Sequence, residues 1–227
     1  MEIFDMASIE KTQTSAAGLF LEKNIKLIAG LISVLLVFVI FAVLGTSISS
    51  KSIEKGLSQV EAIEYSFKKD ADDISAEDFK AKQDEALASL QGLVLKGGIV
   101  GVRANMLKAE ILFEQKNYEE SRTAWVKAAE IKKSAYTAPV CYYNAAVCSE
   151  NLNDLDVAVS YYTSAVGSND FYLIDHAYFS LGRVNEAKGD LEKAVEAYKK
   201  IEEIHGSSRW VNLAKDRIIL INSAKSE

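Results

Sequence analysis

The chain has 227 residues, 49% of them apolar, with one Pro and 12 Gly. That composition describes a helical, globular protein of one or two domains and excludes a disordered or collagen-like chain. The formal charge of −6 removes the clustered basic surface that nucleic-acid binding needs, so no nucleic-acid partner is expected.

Residues 1–26 form a polar tail in which Lys11, Lys23 and Lys26 face Glu2, Asp5, Glu10 and Glu22, with a short helix conceivable over Ser8–Glu22. From Leu27 to Ile48 the chain then runs 22 residues without a charge. At about 1.5 Å per residue that length crosses a hydrocarbon core of roughly 30 Å. A buried core helix rarely stays uncharged on every side for so long, so the run predicts a transmembrane helix over 27–48, with the lipid bilayer as its partner. Ser47 to Ser50 offers small residues for signal cleavage, but the run exceeds a signal h-region and a long segment precedes it, which favours a retained anchor. Lysines stand on both sides of the span, Lys26 before it and Lys51 and Lys55 after it, so charge alone barely orients it.

Two helices are expected over 51–96. Ser52 to Lys69 comes first. Ala76 to Lys96 is the second, with Phe79, Ala86, Leu87, Leu90, Leu93 and Val94 at helical spacing and Ser75 and Asp78 placed for an N-terminal cap. Gly97-Gly98 ends the pair, which reads as a leading cover over the open face of the first repeat.

Residues 99–206 hold three copies of one pattern. The first takes Ile99–Lys116 and Tyr118–Ser134, with Ala109, Ser121, Trp125 and Ala128 in register and Asn117 and Glu120 spaced for a cap. The second takes Pro139–Asn151 and Leu155–Val166, with Tyr142, Ala145-Ala146, Asn153-Asp154-Leu155, Ala158, Tyr162 and Ala165; Pro139 opens a helix where a missing N–H costs nothing. The third reads Ala177-Tyr178-Phe179-Ser180-Leu181-Gly182, then Asn185, Gly189, Leu191, Ala194, Tyr198 and Ile201. Gly182 and Ala194 fall where two antiparallel helices cross, and Gly189-Asp190 is the turn and cap between them. Asn185 and Gly206 stand where the pattern has an aromatic and a Pro. This series resembles the tetratricopeptide repeat, which implies an all-α solenoid of helix pairs. Residues 207–225, with Trp210, Leu213, Ala214, Arg217, Ile218 and Ile221 at helical spacing, supply a closing helix.

Catalytic chemistry finds no foothold. His176 and His205 have no Cys or carboxylate at metal-ligand spacing, and no phosphate loop or nucleophile elbow is present. The expectation is a protein with no enzyme activity, cofactor or metal. His205 is placed at a helix end. Cys141 and Cys148, seven apart on one helix and so about 10 Å apart, read as core residues rather than a disulfide. The first helix of each repeat lines the concave face. That projection places Arg103, Met106, Glu110 and Phe113, then Val140, Tyr143, Val147 and Glu150, then His176, Phe179, Arg183 and Glu186 on it. The partner-binding set expected from it is Met106, Phe113, Tyr143, Val147, Glu150, Phe179, Arg183 and Glu186. Two readings of the apolar strip Tyr143, Val147 and Phe179 stand: open to water as a contact surface, or covered by the leading or closing helices.

The order of tail, span, helix pair, three repeats and closing helix resembles the bacterial ancillary Sec-translocon subunit family, as does Gly206-Ser207-Ser208-Arg209-Trp210 followed by Leu213-Ala214 and Arg217. That ending also resembles other envelope repeat proteins. The resemblance implies a single-pass inner-membrane protein with a cytoplasmic N-terminus and a periplasmic repeat domain. It would be a non-catalytic, chaperone-like scaffold binding the Sec translocon or envelope client proteins. A structural subunit of another envelope complex, for division, cell-wall or pilus assembly, is the alternative.

Overall fold

The computed structural model describes residues 16–69, 71, 73–168 and 170–224. Most of the expected polar tail, residues 1–15, lies outside them. Among the described residues every regular element is a helix: α1 (Ala16–Lys68), α2 (Ala76–Leu90), α3 (Gly98–Glu114), α4 (Tyr118–Ile131), α5 (Ala138–Asn151), α6 (Leu155–Val166), α7 (Ile174–Ala187), α8 (Leu191–Ile204) and α9 (Arg209–Ala224).

The chain divides into two units, Met1–Ser52 and Ile53–Glu227. The first contains the apolar stretch of α1. Lys23–Ile40 has a mean hydropathy of 2.1, none of it is buried, and it is long and apolar enough to cross a membrane. The apolar run and the first leading helix were expected as separate helices, yet both fall within α1. Serines need not interrupt a helix when their hydroxyls bond back to the carbonyl four residues earlier, as Ser33 Oγ does to Ala29 O at 2.8 Å.

The second unit is a run of paired helices. Its leading part packs Val60 and Phe67 of α1 and Ala86 and Leu90 of α2 against Val100, Ala104, Leu107 and Ile111 of α3. Ser75 caps α2 as expected, its Oγ accepting from Asp78 N at 3.1 Å. The helix stops at Leu90, six residues short of the expected end, and continues in turns toward Gly97-Gly98. Buried Asn105 ties that turn to α3 by donating to Val94 O (2.9 Å) and Gly101 O (2.8 Å).

The three helix pairs α3–α4, α5–α6 and α7–α8 repeat one design. Each turn has a residue at positive φ: Lys116 (62°), Asn153 (58°) and Gly189 (79°). The next residue's N–H reaches five residues back, from Asn117 to Leu112 O (2.8 Å), from Asp154 to Ser149 O (2.8 Å) and from Asp190 to Asn185 O (2.9 Å). This satisfies a carbonyl that the helix end would leave bare. Asp190 also caps α8 at Lys193 N, whereas Asn117 makes no cap bond. Its amide instead donates to Gln115 Oε1 at 3.3 Å, so the expected pairing with Glu120 is absent.

Each second helix buries one large ring at the equivalent position: Trp125, Tyr162 and Tyr198. Burying a large apolar side chain contributes about 1.5–3 kcal/mol. Small residues Ser121, Ala158 and Ala194 occupy the crossings and are fully buried. Gly182 faces Tyr198 so closely that a Cβ there would lie 2.4 Å from the ring. Cys141 and Cys148 are free and fully buried, as expected of core residues, and burial pushes the Cys141 thiol up to about 12. Helix α9 closes the series with Val211, Ala214 and Ile221 packed on Ala194, Tyr198 and Ile201.

Candidate functional site

Helices α5 and α7 are the first helices of adjacent repeats, and their residues at three- and four-residue steps share one face. From α5 this face carries Tyr143, Val147 and Glu150; from α7 it carries His176, Phe179 and Arg183. With Trp210 of α9 they line an open groove of 340 Å³. Asn151, Tyr162 and Ser180 also line it.

The aromatic wall is built across three helices. His176 stacks on Trp210 at 4.6 Å between ring centroids, Phe179 lies 5.2 Å from Trp210, and Tyr143 lies 5.3 Å from His176. The Tyr143 hydroxyl is 3.3 Å from the His176 ring nitrogens. Burial, followed by the charges of Arg183 and Arg209, holds His176 below its ordinary value. Both effects favour the neutral imidazole, which stacks on Trp210 as an aromatic.

Two equivalent charged clasps hold the groove's helices in place. In the first, Glu150 accepts from Tyr162 Oη at 2.5 Å and from Arg183 at 2.6 and 2.9 Å. In the second, Glu186 accepts from Tyr198 Oη at 2.6 Å and pairs with Arg217. Burial raises the Glu186 carboxyl, but its bonds from Arg217 and Tyr198 outweigh this and hold it below the ordinary carboxylate value. Each clasp joins both helices of one repeat to the first helix of the next unit.

Of the eight expected partner-binding residues, Tyr143, Val147, Glu150, Phe179 and Arg183 meet in the groove. Met106 packs among Val102, Ala109, Ala124 and Trp125 in the core. Phe113 stands edge-on to Tyr118 at 5.2 Å, and Glu186 is engaged in its clasp. The strip Tyr143–Phe179 is partly covered, and the cover is α9: Trp210 lies over it, and Tyr143 is only 9% exposed. Projection of the first-helix register gives Trp210 no place in the groove and puts His176 on the inner face without a ligand role. A repeat register carried into α9, which sets Trp210 34 residues after His176, would have found it. His205 sits past the end of α8, its Nδ1 2.8 Å from Asp175 Oδ1. Among the described residues no group of three His, Cys, Asp or Glu side chains is placed to hold a metal ion.

The tetratricopeptide repeat family profile matches residues 82–136 and 150–208, just over half of the chain. The chain belongs to the tetratricopeptide repeat family. A "TPR repeat-containing protein" of Treponema pallidum (strain Nichols) is 32% identical over 146 residues, which is 63% of this chain and 61% of that relative. The match thus spans less than two thirds of the relative's length. Among solved structures, a crystal structure of MamA superposes with a TM-score of 0.51 at 22% identity, over 65% of this chain and 81% of MamA. A Rap protein complexed with Competence and Sporulation Factor gives a TM-score of 0.51 at 24% identity, over 74% of this chain and 46% of that one. These two likenesses establish the solenoid. Tetratricopeptide repeats are protein–protein interaction scaffolds, a fold family generally without catalytic function, and this repeat protein is one of them.

Proposed function

We propose that this repeat protein is a membrane-anchored scaffold of the bacterial envelope that holds segments of client proteins near the export translocon. The observation that carries the reading is the aromatic groove of α5, α7 and α9, a concave surface on a repeat fold built for protein contact. The anchor rests on Lys23–Ile40, which is apolar, unburied and long enough to span. The orientation, with the N-terminus in the cytoplasm and the repeats outside it, rests on the chain's layout and its resemblance to the ancillary translocon subunits. Tyr143, Val147, Glu150, Phe179 and Arg183 are the contact residues, and Phe179 is the aromatic anchor because it lines the groove and is part-exposed.

Site-specific photo-cross-linking in intact cells tests this. A photoreactive residue at position 179 is expected to capture translocon subunits or envelope proteins in transit, while one at Lys199 on the exposed face of α8 does not. The same products at both positions, or only cytosolic partners, would refute the reading. A single stoichiometric partner from a division, cell-wall or pilus complex would identify a structural subunit instead. Carbonate washing of membranes tests the anchor, since extraction of the protein into the wash means that the segment is cleaved or does not span.

A further inference from the structure

Helix α9 repeats the concave register of α7 at an offset of 34 residues: His176, Phe179, Arg183 and Glu186 correspond to Trp210, Leu213, Arg217 and Leu220. Arg217 does for Glu186 what Arg183 does for Glu150. Leu213 and Leu220, by contrast, are 46% and 57% exposed. A helix serving only to end a solenoid carries polar groups outward. This one keeps apolar side chains on the face that continues the groove. Glu186 grips an arginine on the following helix, and the equivalent Leu220 has no helix after it among the described residues to grip.

The clasps also leave an asymmetric surface. The carboxylates of Glu150 and Glu186 are sheltered, with 15% and 12% of each side chain exposed, while Arg183 and Arg217 are 52% and 43% exposed. Each guanidinium spends two of its five N–H donors on its carboxylate, leaving three for a ligand. Arg209, 5.8 Å over the Trp210 ring, adds a cation without a carboxylate partner among the described residues. Packed helices stand roughly 8–10 Å apart, and a chain in the polyproline II form advances about 3.1 Å per residue with three residues per turn, so every third side chain returns to the same face. One step from Arg183 to Arg217 is therefore three residues of ligand in that form.

We propose that α9 is the third rung of the groove and that the surface takes a client segment in the polyproline II form bearing two carboxylates three residues apart among apolar side chains. This rests on the groove being the client site. The carboxylates meet Arg183 and Arg217, and the apolar residues between and beyond them cover Phe179, Leu213 and Leu220.

Full-length protein in detergent micelles and fluorescent eight-residue peptides provide the test, read by anisotropy. One peptide carries an Asp-Leu-Val-Asp core, a second carries Asn for both Asp, and a third places the two Asp side by side. The first is expected to bind about tenfold tighter than the second, because hydrogen bonds to charged groups exceed neutral ones by that order. The third should lose most of the gain, and the gain should shrink as salt rises. Leu213→Ser and Leu220→Ser should each weaken binding about threefold without moving the thermal midpoint, since both side chains are already exposed. Equal affinity of the first two peptides, or unchanged binding by both Leu variants, would overturn the inference. If that equal binding is lost in Phe179→Ala, the client groove stands and only its acidic preference and third rung fall. Absence of binding by every peptide overturns the groove and this inference together.

Discussion

Replacing Gly182 by Ala sets two principles against each other, and the structure decides between them. In an open helix the change stabilises by about 1 kcal/mol, because glycine loses more backbone freedom on folding. Here the new methyl would stand 2.4 Å from Tyr198 Cε1 and 2.7 Å from Cδ1 and Cζ. The ring cannot swing aside cheaply. It is 1% exposed, and its hydroxyl is fixed 2.6 Å from Glu186. Overpacking costs about 1–3 kcal/mol, and loosening a hydrogen bond to a charged group costs a further ~1.5–3 kcal/mol. The net expectation is destabilisation by about 1.5–5 kcal/mol. Urea unfolding of the micelle-bound protein, followed by emission of Trp125 and Trp210, measures it. Tyr198→Phe removes the tether, so the double variant should cost less than the sum of the two singles. Gly182→Ala at or above wild-type stability would refute the argument, because it would mean that α7 and α8 do not cross at this residue.

The same packing sets three further outcomes. Lys116→Gly should raise stability by about 1 kcal/mol, since a lysine at φ 62° carries a left-handed strain that glycine lacks; equal or lower thermal midpoints would count against it. Asn185 is 3% exposed and its Oδ1 has no hydrogen-bond partner, so Asn185→Leu should stabilise by about 1–2 kcal/mol in urea unfolding. Burial raises the Glu110 carboxyl, with Glu64 and Glu114 adding to it against Lys68 and Arg103. A raised carboxyl contributes stability below its unfolded value and loses it as pH rises through the folded one. Glu110→Gln should therefore unfold at higher temperature than wild type at pH 7 and match it below pH 4.5, and a pH series of thermal midpoints checks this.

The repeats were legible because their packing residues are sterically obligatory. Gly182, Ala158, Ala194, Tyr162 and Tyr198 sit where only small or ring side chains fit, and those types recur at 36-residue steps. The turn was legible at Gly189 but not at Lys116, because a lysine gives no sign that its backbone will be left-handed. The groove was half legible. Projecting the first-helix register found Tyr143, Val147, Glu150, Phe179 and Arg183, but the same register put Met106 on the face when it lies in the core. Periodicity gives an angle around a helix axis and not the depth of the neighbouring helices. Depth at Met106 is set by Trp125 and Val102 around it. The clasps escaped because single charges look alike on a helix. Only the paired recurrence of Glu150 and Glu186 with Tyr162 and Tyr198, followed by Arg183 and Arg217, distinguishes them.

The clasps also explain why the groove lies where it does. At the junction between the first and second repeats, Phe113 and Val147 occupy the positions of the clasp's Glu and Arg, so no charged triad forms there. That junction is held by Trp125, by Cys148 Sγ against Ser121 Oγ at 3.3 Å, and by the Arg122–Asp154 pair at 2.7 Å. Apolar packing of this kind holds helices at least as well as a sheltered ion pair, whose desolvation cost can cancel its attraction. The two clasps therefore add little that packing could not supply as stability. What they do supply is orientation: each fixes a half-exposed guanidinium, and that of Arg183 lines the groove beside the aromatic wall. A guanidinium held in place loses less entropy when it meets a ligand than one that must be ordered at that moment. On the function proposed above, the C-terminal half of the solenoid is the part preorganised for recognition, whereas in the first repeat Met106 lies in the core and Phe113 packs half-buried against it.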